Sequence, residues 1–338
     1  MAEKPTSFDI AFLAGVSQPT VSRALRGSPV VSIETRKRIE EIAKQLNYRV
    51  DKNASNLRSQ HSNTLALLLF EDPTPDDSQI NPFFLTMLGS ITRASARRGY
   101  DLLISFQQLS GDFRQDYEDS RKADGLILLG YGDYEEYRPR LDKLVESGTH
   151  FVRWGPVLND EPGISVGSDN AQGGYDVTRH LLAAGRRRIA FLGHATTHYP
   201  EFFDRYRGHE RALVEAQVAT SSALQIDAIN LEASGFSAVR ELLARGVEFD
   251  AIVAASDLIA IGALRALQEA GIEVPKRVAV AGFDDITAAS LTNPPLTTVM
   301  QDTRRAGELL VEMLLRQIAG ERATNCVIPT RLVVRKSG

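Results

Sequence analysis

A short polar and basic segment, residues 15–29, reads GVSQPTVSRALRGSP at a point where an amphipathic helix would otherwise gather apolar residues. Its side chains are of the types that form hydrogen bonds with DNA. Arg23 could bind a guanine through two hydrogen bonds, and Gln18 could bind an adenine. Hydroxyl groups that could reach phosphates belong to Ser17, Thr20 and Ser22. A three-helix bundle with a solvated polar face would show the same pattern, so the residues alone leave both interpretations open.

Three short helices must position this segment. Gly15 permits a sharp turn after the first helix, Ser17 is a suitable N-cap for the second, and Pro19 is tolerated in the first turn of a helix. The predicted apolar surface of the first helix consists of Phe8, Ile10, Ala11, Phe12, Leu13 and Ala14. The inward faces of the second and third helices consist of Val21, Ala24, Leu25, Ile39, Ile42, Ala43 and Leu46. The pattern predicts a helix-turn-helix unit whose second helix is the recognition helix.

The composition limits the class of protein. A chain of 338 residues fits two or three domains. No apolar run approaches the roughly 20 residues that span a bilayer, and the N-terminus lacks the apolar stretch of a secretory signal. The single cysteine, Cys326, rules out an internal disulfide and a multi-cysteine metal cluster, so we expect a cytoplasmic protein.

Charge is unevenly distributed along the chain. Residues 1–62 contain ten Lys and Arg against six Asp and Glu, whereas the remaining residues contain 29 against 37. A small basic head on a larger acidic body favours a polyanionic partner for the head alone.

From Thr64 onwards, short apolar runs such as TLALLLF and DGLILLG alternate with longer helix-like stretches. Unbroken apolar strands separated by helices predict parallel sheets covered on both faces. The pattern starts again at RRIAFLGH, with helices expected near 203–217, 235–245 and 257–271. We therefore predict an all-α helix-turn-helix head and an α/β body of two doubly wound, parallel-sheet lobes. The crevice at the carboxyl ends of the strands is the expected ligand site.

The motifs AGVSxxTVSRxL and VSxxTRxRIxxxAxxLNY in the head resemble the DNA-binding domain of the LacI/GalR family of bacterial transcription regulators. The resemblance implies a DNA-binding domain over 1–50, a hinge helix or linker over 51–63, and a ligand-binding and dimerisation domain over 64–338. It implies that Gln18, Pro19 and Arg23 read the major groove. It also implies that Leu57, with Ala54 as its small neighbour, wedges into the minor groove. The usual "PN" after the tyrosine is replaced here by Val50-Asp51.

The body resembles the periplasmic sugar-binding protein-like domain of the same family, two lobes joined by three crossovers. The matching strings include NPFF, RYRGHERAL, SDLIAIG, GFDD and VMQD. The resemblance implies that the ligand is bound by Arg205, Asp284, Ser256, Gln301, Trp154, Phe83 and Asn230, with weaker suggestions at Glu71 and Asp72. Many relatives have asparagine at the position of Ser256, some have an acid at that of Trp154, and relatives often have an aromatic residue at that of Asn230. Trp154 could take over the stacking role.

Two other classes of protein fit the sequence less well. An enzyme is disfavoured because we find no G-x-G-x-x-G after a strand, no Walker loop and no H-E-x-x-H. His194 and His198 lie four residues apart in an apparent loop without a third metal ligand, so we expect no metal or cofactor. A free-standing solute-binding protein would have an export signal and no basic head.

The expectation is a transcriptional regulator, a repressor by the commoner family mode, that binds pseudo-palindromic operator DNA. Its operator affinity would respond to a small ligand, most simply a sugar or glycoside, bound between the lobes. The alternatives are a purine- or nucleoside-responsive regulator of the same family, or an activator. A palindromic operator mirrors a two-fold dimer, and the chain ends at RLVVRKSG, where the family's additional C-terminal tetramerisation helix would follow. We therefore expect a homodimer, and we expect no membrane association.

Overall fold

The computed structural model describes residues 5–25, 27–48, 61–70, 80–106, 113–130, 132–157 and 161–338. The chain divides into two compact units, residues 1–62 and 63–338. Most of the predicted hinge segment 51–63, including Ala54 and Leu57, lies outside the described residues, as do Glu71 and Asp72. Proposals for these four residues therefore stay predictions.

The first unit is a bundle of three helices, α1 (Ser7–Ala14), α2 (Gln18–Leu25) and α3 (Ile33–Gln45). Thr6 and Asp9 form a capping box at the start of α1, and Gly15 ends α1 with a φ of 62°. The buried core includes Ile10, Val21 and Ile39. The apolar surface predicted for α1 is only partly correct, since the exposed side chains include those of Phe8, Phe12 and Leu13. Nearly every position of this helix is apolar, so periodicity could not identify its inner face.

Within the described residues, the second unit contains two six-stranded sheets. The first sheet has the order β11-β5-β4-β3-β1-β2, and the second has the order β12-β10-β9-β8-β6-β7. The first is formed by β1 (Thr64–Leu69), β2 (Asp101–Phe106), β3 (Leu126–Leu129), β4 (Phe151–Trp154), β5 (Ile164–Ser168) and β11 (Cys326–Ile328). The second is formed by β6 (Ile189–Leu192), β7 (Gln225–Ile226), β8 (Ala251–Ala254), β9 (Ala279–Asp284), β10 (Thr297–Met300) and β12 (Arg331–Val333). Neighbouring strands are parallel except for the antiparallel pair β10 and β12.

Helices cover both sheets, as the strand–helix alternation predicts. They are α4 (Pro82–Arg97), α5 (Tyr134–Glu146), α6 (Asn170–Ala183), α7 (Pro200–Glu215), α8 (Glu232–Ala244), α9 (Asp257–Glu269) and α10 (Thr303–Ile318). Helix α7 begins three residues earlier than predicted, because Pro200 occupies its first position. The shorter elements are a π-helical turn at Arg114–Asp119 and 3₁₀ turns at Ser222–Leu224 and Thr287–Ser290. No helix among the described residues is long and apolar enough to cross a membrane.

The chain passes between the two sheets three times. It leaves the first sheet after β5, returns after β10 to form α10 and β11, and crosses again to form β12. Each sheet with its covering helices is one lobe. The strands that lead into the crossovers, β5, β10 and β11, each do so from their carboxyl ends. The carboxyl ends of the strands of both lobes therefore supply the side chains of the crevice.

Two glycines set a close crossing of α6 and α7 in the second lobe. A Cβ atom added at Gly208 would lie 2.0 Å from the carbonyl oxygen of Ala171, and one added at Gly174 would lie 2.1 Å from that of Arg205. Neither position has room for a side chain, so the two backbones meet directly. The backbone of Arg205 takes part in this contact, so the crossing sets the distance between Arg205 and α6.

Candidate functional site

The exposed face of α2 carries the polar side chains that the sequence singled out. Val21 and Ala24 point into the core, and Ser17, Pro19 and Arg23 are exposed. Gln18, Thr20 and Ser22 are partly exposed. The hydroxyl oxygens of Ser17 and Thr20 lie 2.8 Å apart, and the Gln18 amide donates a hydrogen bond of 3.1 Å to Ser7 Oγ. The Gln18 side chain is thus oriented before it meets any partner.

A cavity of about 880 Å³, counted out to its open mouth, lies between the two lobes of the second unit at the carboxyl ends of their strands. Its lining residues come from both lobes and from one crossover. They are Phe83, Phe84, Gly130, Gly132, Trp154, Tyr199, Glu201, Phe202, Arg205, Ile229, Asn230, Leu231, Asp284 and Gln301.

Arg205, on the second turn of α7, is the buried cation of the cavity wall. Its Nε donates to Asn170 Oδ1 at 2.9 Å, and its Nη1 donates to the carbonyl oxygen of Ala255. The same Nη1 lies 3.7 Å from Asp284 Oδ1. The guanidinium carbon also lies 3.8 Å from the ring centre of Phe283. These contacts hold the planar guanidinium in one orientation, which suits directed hydrogen bonds to a ligand.

Asp284 ends β9 with a φ of 113°, a conformation that non-glycine residues rarely adopt. Its Oδ1 accepts a hydrogen bond of 2.7 Å from Gln301 Nε2. Burial raises the pKa of Asp284 to about 6, although Arg205 and Gln301 act in the opposite direction. Backbone strain of this kind clusters at ligand sites. The next residue, Asp285, pairs instead with Arg335 at 2.6 Å, so only the first acid of GFDD faces the cavity.

A second buried acid, Asp257, supports the turn that presents Asp284. Its two carboxyl oxygens accept from the backbone N–H of Ile286 at 2.8 Å and from the Thr298 hydroxyl at 2.5 Å. Burial and the nearby charge of Asp284 raise the pKa of Asp257 well above its ordinary value. Gly282 is required beside it, because a Cβ there would lie 2.3 Å from Asp257 Oδ1.

Aromatic rings line the side of the cavity that the first lobe contributes. Trp154, at the end of β4, is 5% exposed, and its ring centre lies 5.9 Å from that of Phe83. Asn81 caps α4 through Phe83 N at 2.9 Å, and the capped turn places Phe83 and Phe84 in the wall. Trp154 is thus a residue of both the core and the wall, and it presents an apolar surface to any ligand.

The comparisons with known proteins agree with this architecture. Residues 8–51 match the bacterial regulatory proteins of the lacI family, and residues 178–338 match the periplasmic binding protein-like domain. The HTH-type transcriptional regulator CelR of Thermobifida fusca is 33% identical to the chain, over 99% of this chain and 98% of that regulator. The protein belongs to the LacI family.

Solved structures of LacI-family proteins share both units. The lac repressor dimer bound to operator and the anti-inducer ONPF is similar with a TM-score of 0.85 and 25% identity, over 99% of each chain. A CelR–cellobiose complex is similar with a TM-score of 0.73 and 32% identity, over 99% of this chain and 100% of that one. The predicted family and fold class are confirmed. The protein is a LacI-family transcription regulator with a DNA-binding helix-turn-helix head and a periplasmic-binding-protein-like body.

The structure brings together six of the seven positions that the LacI-family motifs suggested for ligand binding. Those in the wall of the cavity are Arg205, Asp284, Gln301, Trp154, Phe83 and Asn230. Asn230 Oδ1 is shielded and has no hydrogen-bond partner among the described residues, as suits an atom awaiting a donor. Ser256 is not a lining residue. It is fully buried, and its hydroxyl caps α9 by accepting from Ile259 N at 3.3 Å. The shorter side chain stays on its own helix where an asparagine would extend farther.

Several lining residues were not singled out from the sequence. Tyr199, Glu201 and Phe202 reach the cavity because α7 starts at Pro200, one turn earlier than expected. The proline was the available signal, since proline is favoured at the first helical position. Gly130 and Gly132 follow β3, in the loop at the carboxyl end of a parallel strand, where α/β sheets place the ligand crevice.

Proposed function

We propose that the protein is a repressor whose affinity for operator DNA is controlled by a sugar or glycoside bound in the cavity between the lobes. The observation that carries the proposal is the pairing of an oriented polar set with aromatic walls. Arg205, Asp284 and Gln301 offer fixed donors and acceptors, while Trp154 and Phe83 offer flat apolar surface. A sugar needs both, because its hydroxyls demand hydrogen bonds and its C–H faces stack on rings.

The charge of the cavity favours an uncharged ligand. Among the described lining residues Arg205 is the cation, and Asp284 lies 3.7 Å from it. A phosphate or carboxylate ligand would have to compete with Asp284 for the guanidinium and would also meet Glu201. A neutral polyhydroxyl compound meets neither obstacle. The CelR–cellobiose complex and the ribose operon repressor of Escherichia coli K12, 29% identical over 93% of each chain, support a sugar.

A purine is the second candidate. Aromatic walls stack on planar bases as readily as on sugars. The HTH-type transcriptional repressor PurR of Aliivibrio salmonicida is 30% identical over 92% of this chain and 91% of that repressor. An activator role remains an alternative to repression, and operator position relative to the promoter decides between them.

The head would bind the major groove through α2, with Arg23 and Gln18 reading bases, Pro19 contacting them by shape and the hydroxyls of Ser17, Thr20 and Ser22 binding phosphates. Leu57 and Ala54 stay the predicted minor-groove wedge and its small neighbour. Such a protein would act in the cytoplasm, where its DNA lies, and we expect no catalytic activity.

A homodimer fits both the operator and an exposed strand. Strand β2 is an edge of the first sheet, and the side chains of Leu103, Ile104 and Phe106 along it are exposed. An uncovered apolar edge invites pairing with another surface. A second copy would cover the edge and place two heads on the two half-sites of a palindromic operator.

The regulatory step would be a population shift between arrangements of the two lobes. A ligand that contacts residues of both lobes binds the closed arrangement better than the open one, and it shifts the equilibrium by that difference in affinity. In a dimer, movement of the lobes would alter the spacing of the heads.

Titration with a panel of sugars, glycosides and purines tests the proposal. Trp154 is the only tryptophan, so its emission reports on the cavity, and thermal stability gives an independent measure of binding. We expect a saturable change with one sugar in wild-type protein and none in Asp284→Asn. Binding of a purine alone would favour the second candidate. Sugar binding that is indifferent to Asp284→Asn would contradict the cavity as the site.

A further inference from the structure

Apart from the cavity itself, a polar contact joins the two lobes next to the cavity wall. It involves the start of α5 in the first lobe and the loop after β6 in the second. His198 Nδ1 lies 2.6 Å from Asp133 Oδ2, and His198 Nε2 lies 3.5 Å from Glu135 Oε2. Thr197 Oγ1 donates to Glu135 Oε1 at 2.6 Å, and Tyr134 N donates to the carbonyl oxygen of His198 at 2.9 Å.

The contact is next to the cavity wall on both sides. Asp133 follows Gly132, and His198 precedes Tyr199, and both of these neighbours line the cavity. Asp133 is also the N-cap of α5, where it accepts from the backbone N–H groups of Glu135 and Glu136. The start of α5 therefore sets the position of the contact. Loss of the contact would make it easier for the two sides of the cavity to separate.

The groups around His198 favour its charged form. From α5, three carboxylates act on the imidazole, those of Asp133, Glu135 and Glu136. The positive end of the α5 dipole opposes them. On the loop itself, His194 lies 3.6 Å from Asp227 and stacks on Tyr199, so its partners are in the second lobe.

We propose that His198 is a positioning residue of the effector site, whose ion pair with Asp133 and Glu135 holds the lobes closed and weakens as the imidazole loses its proton. The proposal rests on the proposed function for its effector, but the contact itself needs no ligand.

The direction of the pH effect follows from the electrostatics. The hydrogen bond to Asp133 raises the pKa of His198 above its ordinary 6.5. The contact is therefore at full strength below pH 6.5 and weakens as pH rises through the raised pKa. The Tyr134–His198 and Thr197–Glu135 hydrogen bonds persist when His198 is neutral. We accordingly expect the closed-to-open ratio to fall by about two- to fivefold, the range for an exposed ion pair.

Single-molecule energy transfer between the lobes tests the proposal on full-length protein without ligand. Dyes would be attached through Val145→Cys on α5 and Val214→Cys on α7 in a Cys326→Ser background, since both valines are at least half exposed. An excess of unlabelled protein would prevent transfer between two labelled chains. The closed fraction would be measured from pH 5.5 to 8.5.

We expect the closed fraction to fall as pH rises, and to lose its pH dependence in His198→Gln. Asp133→Asn should reduce the pH dependence without abolishing it, because asparagine keeps the N-cap but carries no charge, while Glu135 still faces His198 Nε2 at 3.5 Å. The matched control is His194→Gln, which should behave as wild type. A closed fraction that is independent of pH, or a pH response that survives His198→Gln, would overturn the proposal.

Adding cellobiose and the other sugars separates this proposal from the proposed function. If His198 controls closure but no sugar binds, the proposed effector class fails and the positioning role stands. If a sugar binds but the closed fraction does not depend on pH, the positioning role of His198 fails and the proposed function stands.

Discussion

Replacing Arg205 by methionine is the most informative single change in the cavity. Methionine keeps an unbranched apolar side chain but removes the guanidinium, whose carbon lies 3.8 Å from the ring centre of Phe283. Asp284, already raised in pKa to about 6 by burial, would lose the cation 3.7 Å away. Asn170 Oδ1 and the carbonyl oxygen of Ala255 would each lose a donor. We therefore expect Arg205→Met to destabilise the second unit as well as to impair ligand binding.

The magnitude follows from the burial of the pair. Arg205 is 5% exposed and Asp284 is 8% exposed. Removing one partner of a buried ion pair costs about 3–5 kcal/mol. Water in the open cavity can hydrate the orphaned groups, so we expect about 3 kcal/mol. For a unit of this size that free energy corresponds to a fall in melting temperature of about 6–12 °C.

The assay is thermal unfolding followed by Trp154 emission, which reports on the second unit alone. A buried carboxyl with a raised pKa loses stability as pH rises from its unfolded value through its folded value. Without Arg205 the pKa of Asp284 rises further, so the deficit of Arg205→Met should be larger at pH 7.5 than at pH 5. Asp284→Asn in the Arg205→Met background should recover part of the loss at pH 7.5.

Two results would refute this reasoning. A melting temperature of Arg205→Met within about 2 °C of wild type at pH 7.5 would show that Arg205 and Asp284 do not form a buried ion pair. A deficit of equal size at both pH values would show that the charge of Asp284 does not cause it.

Three further predictions concern other parts of the molecule. Gly208→Ala should lower the melting temperature by several degrees, because its Cβ would lie 2.0 Å from the Ala171 carbonyl oxygen. The control is Gly89→Ala, since a Cβ at Gly89 has open space around it. If Gly208→Ala melted at the same temperature as Gly89→Ala, the close crossing of α6 and α7 would be contradicted. Arg23→Ala should reduce discrimination between operator and random duplex by about 1–3 kcal/mol in a gel-shift competition, and unchanged discrimination would remove Arg23 from the groove. Sugar affinity measured by calorimetry should weaken as pH falls below about 6, where Asp284 becomes protonated, and an affinity that is flat from pH 5 to 7 would argue against a carboxylate acceptor.

The sequence predicted the scaffold well where local pattern and tertiary burial agree. Strands such as β1 and β3 are unbroken apolar runs, and a parallel sheet covered on both faces requires such runs. The inward face of α2 was found because its apolar positions are few. In α1, by contrast, apolar residues lie on every side, and only the packing against α2 and α3 decides that Ile10 is buried while Phe12 is exposed.

Only those cavity residues that lie within family motifs could be predicted from the sequence. Arg205 and Asp284 lie in short strings, RYRG and GFDD, that the LacI/GalR resemblance singled out, but Glu201 and Phe202 line the cavity only because α7 starts at Pro200. The pairing of His198 with Asp133 joins residues 65 positions apart, on different lobes. No local pattern encodes such a contact, because it arises only when the crossovers bring the two strand edges together.

The most direct test of ligand control is the operator affinity of the full-length protein with and without the bound sugar. An operator would be selected from random duplexes, and its dissociation constant would be measured by fluorescence anisotropy at fixed salt. We expect saturating sugar to change that constant by at least about fivefold, the lower end of typical allosteric coupling. In Asp284→Asn, the sugar should leave the operator dissociation constant unchanged. A sugar that fills the cavity while operator affinity stays the same would contradict control of DNA binding by this site.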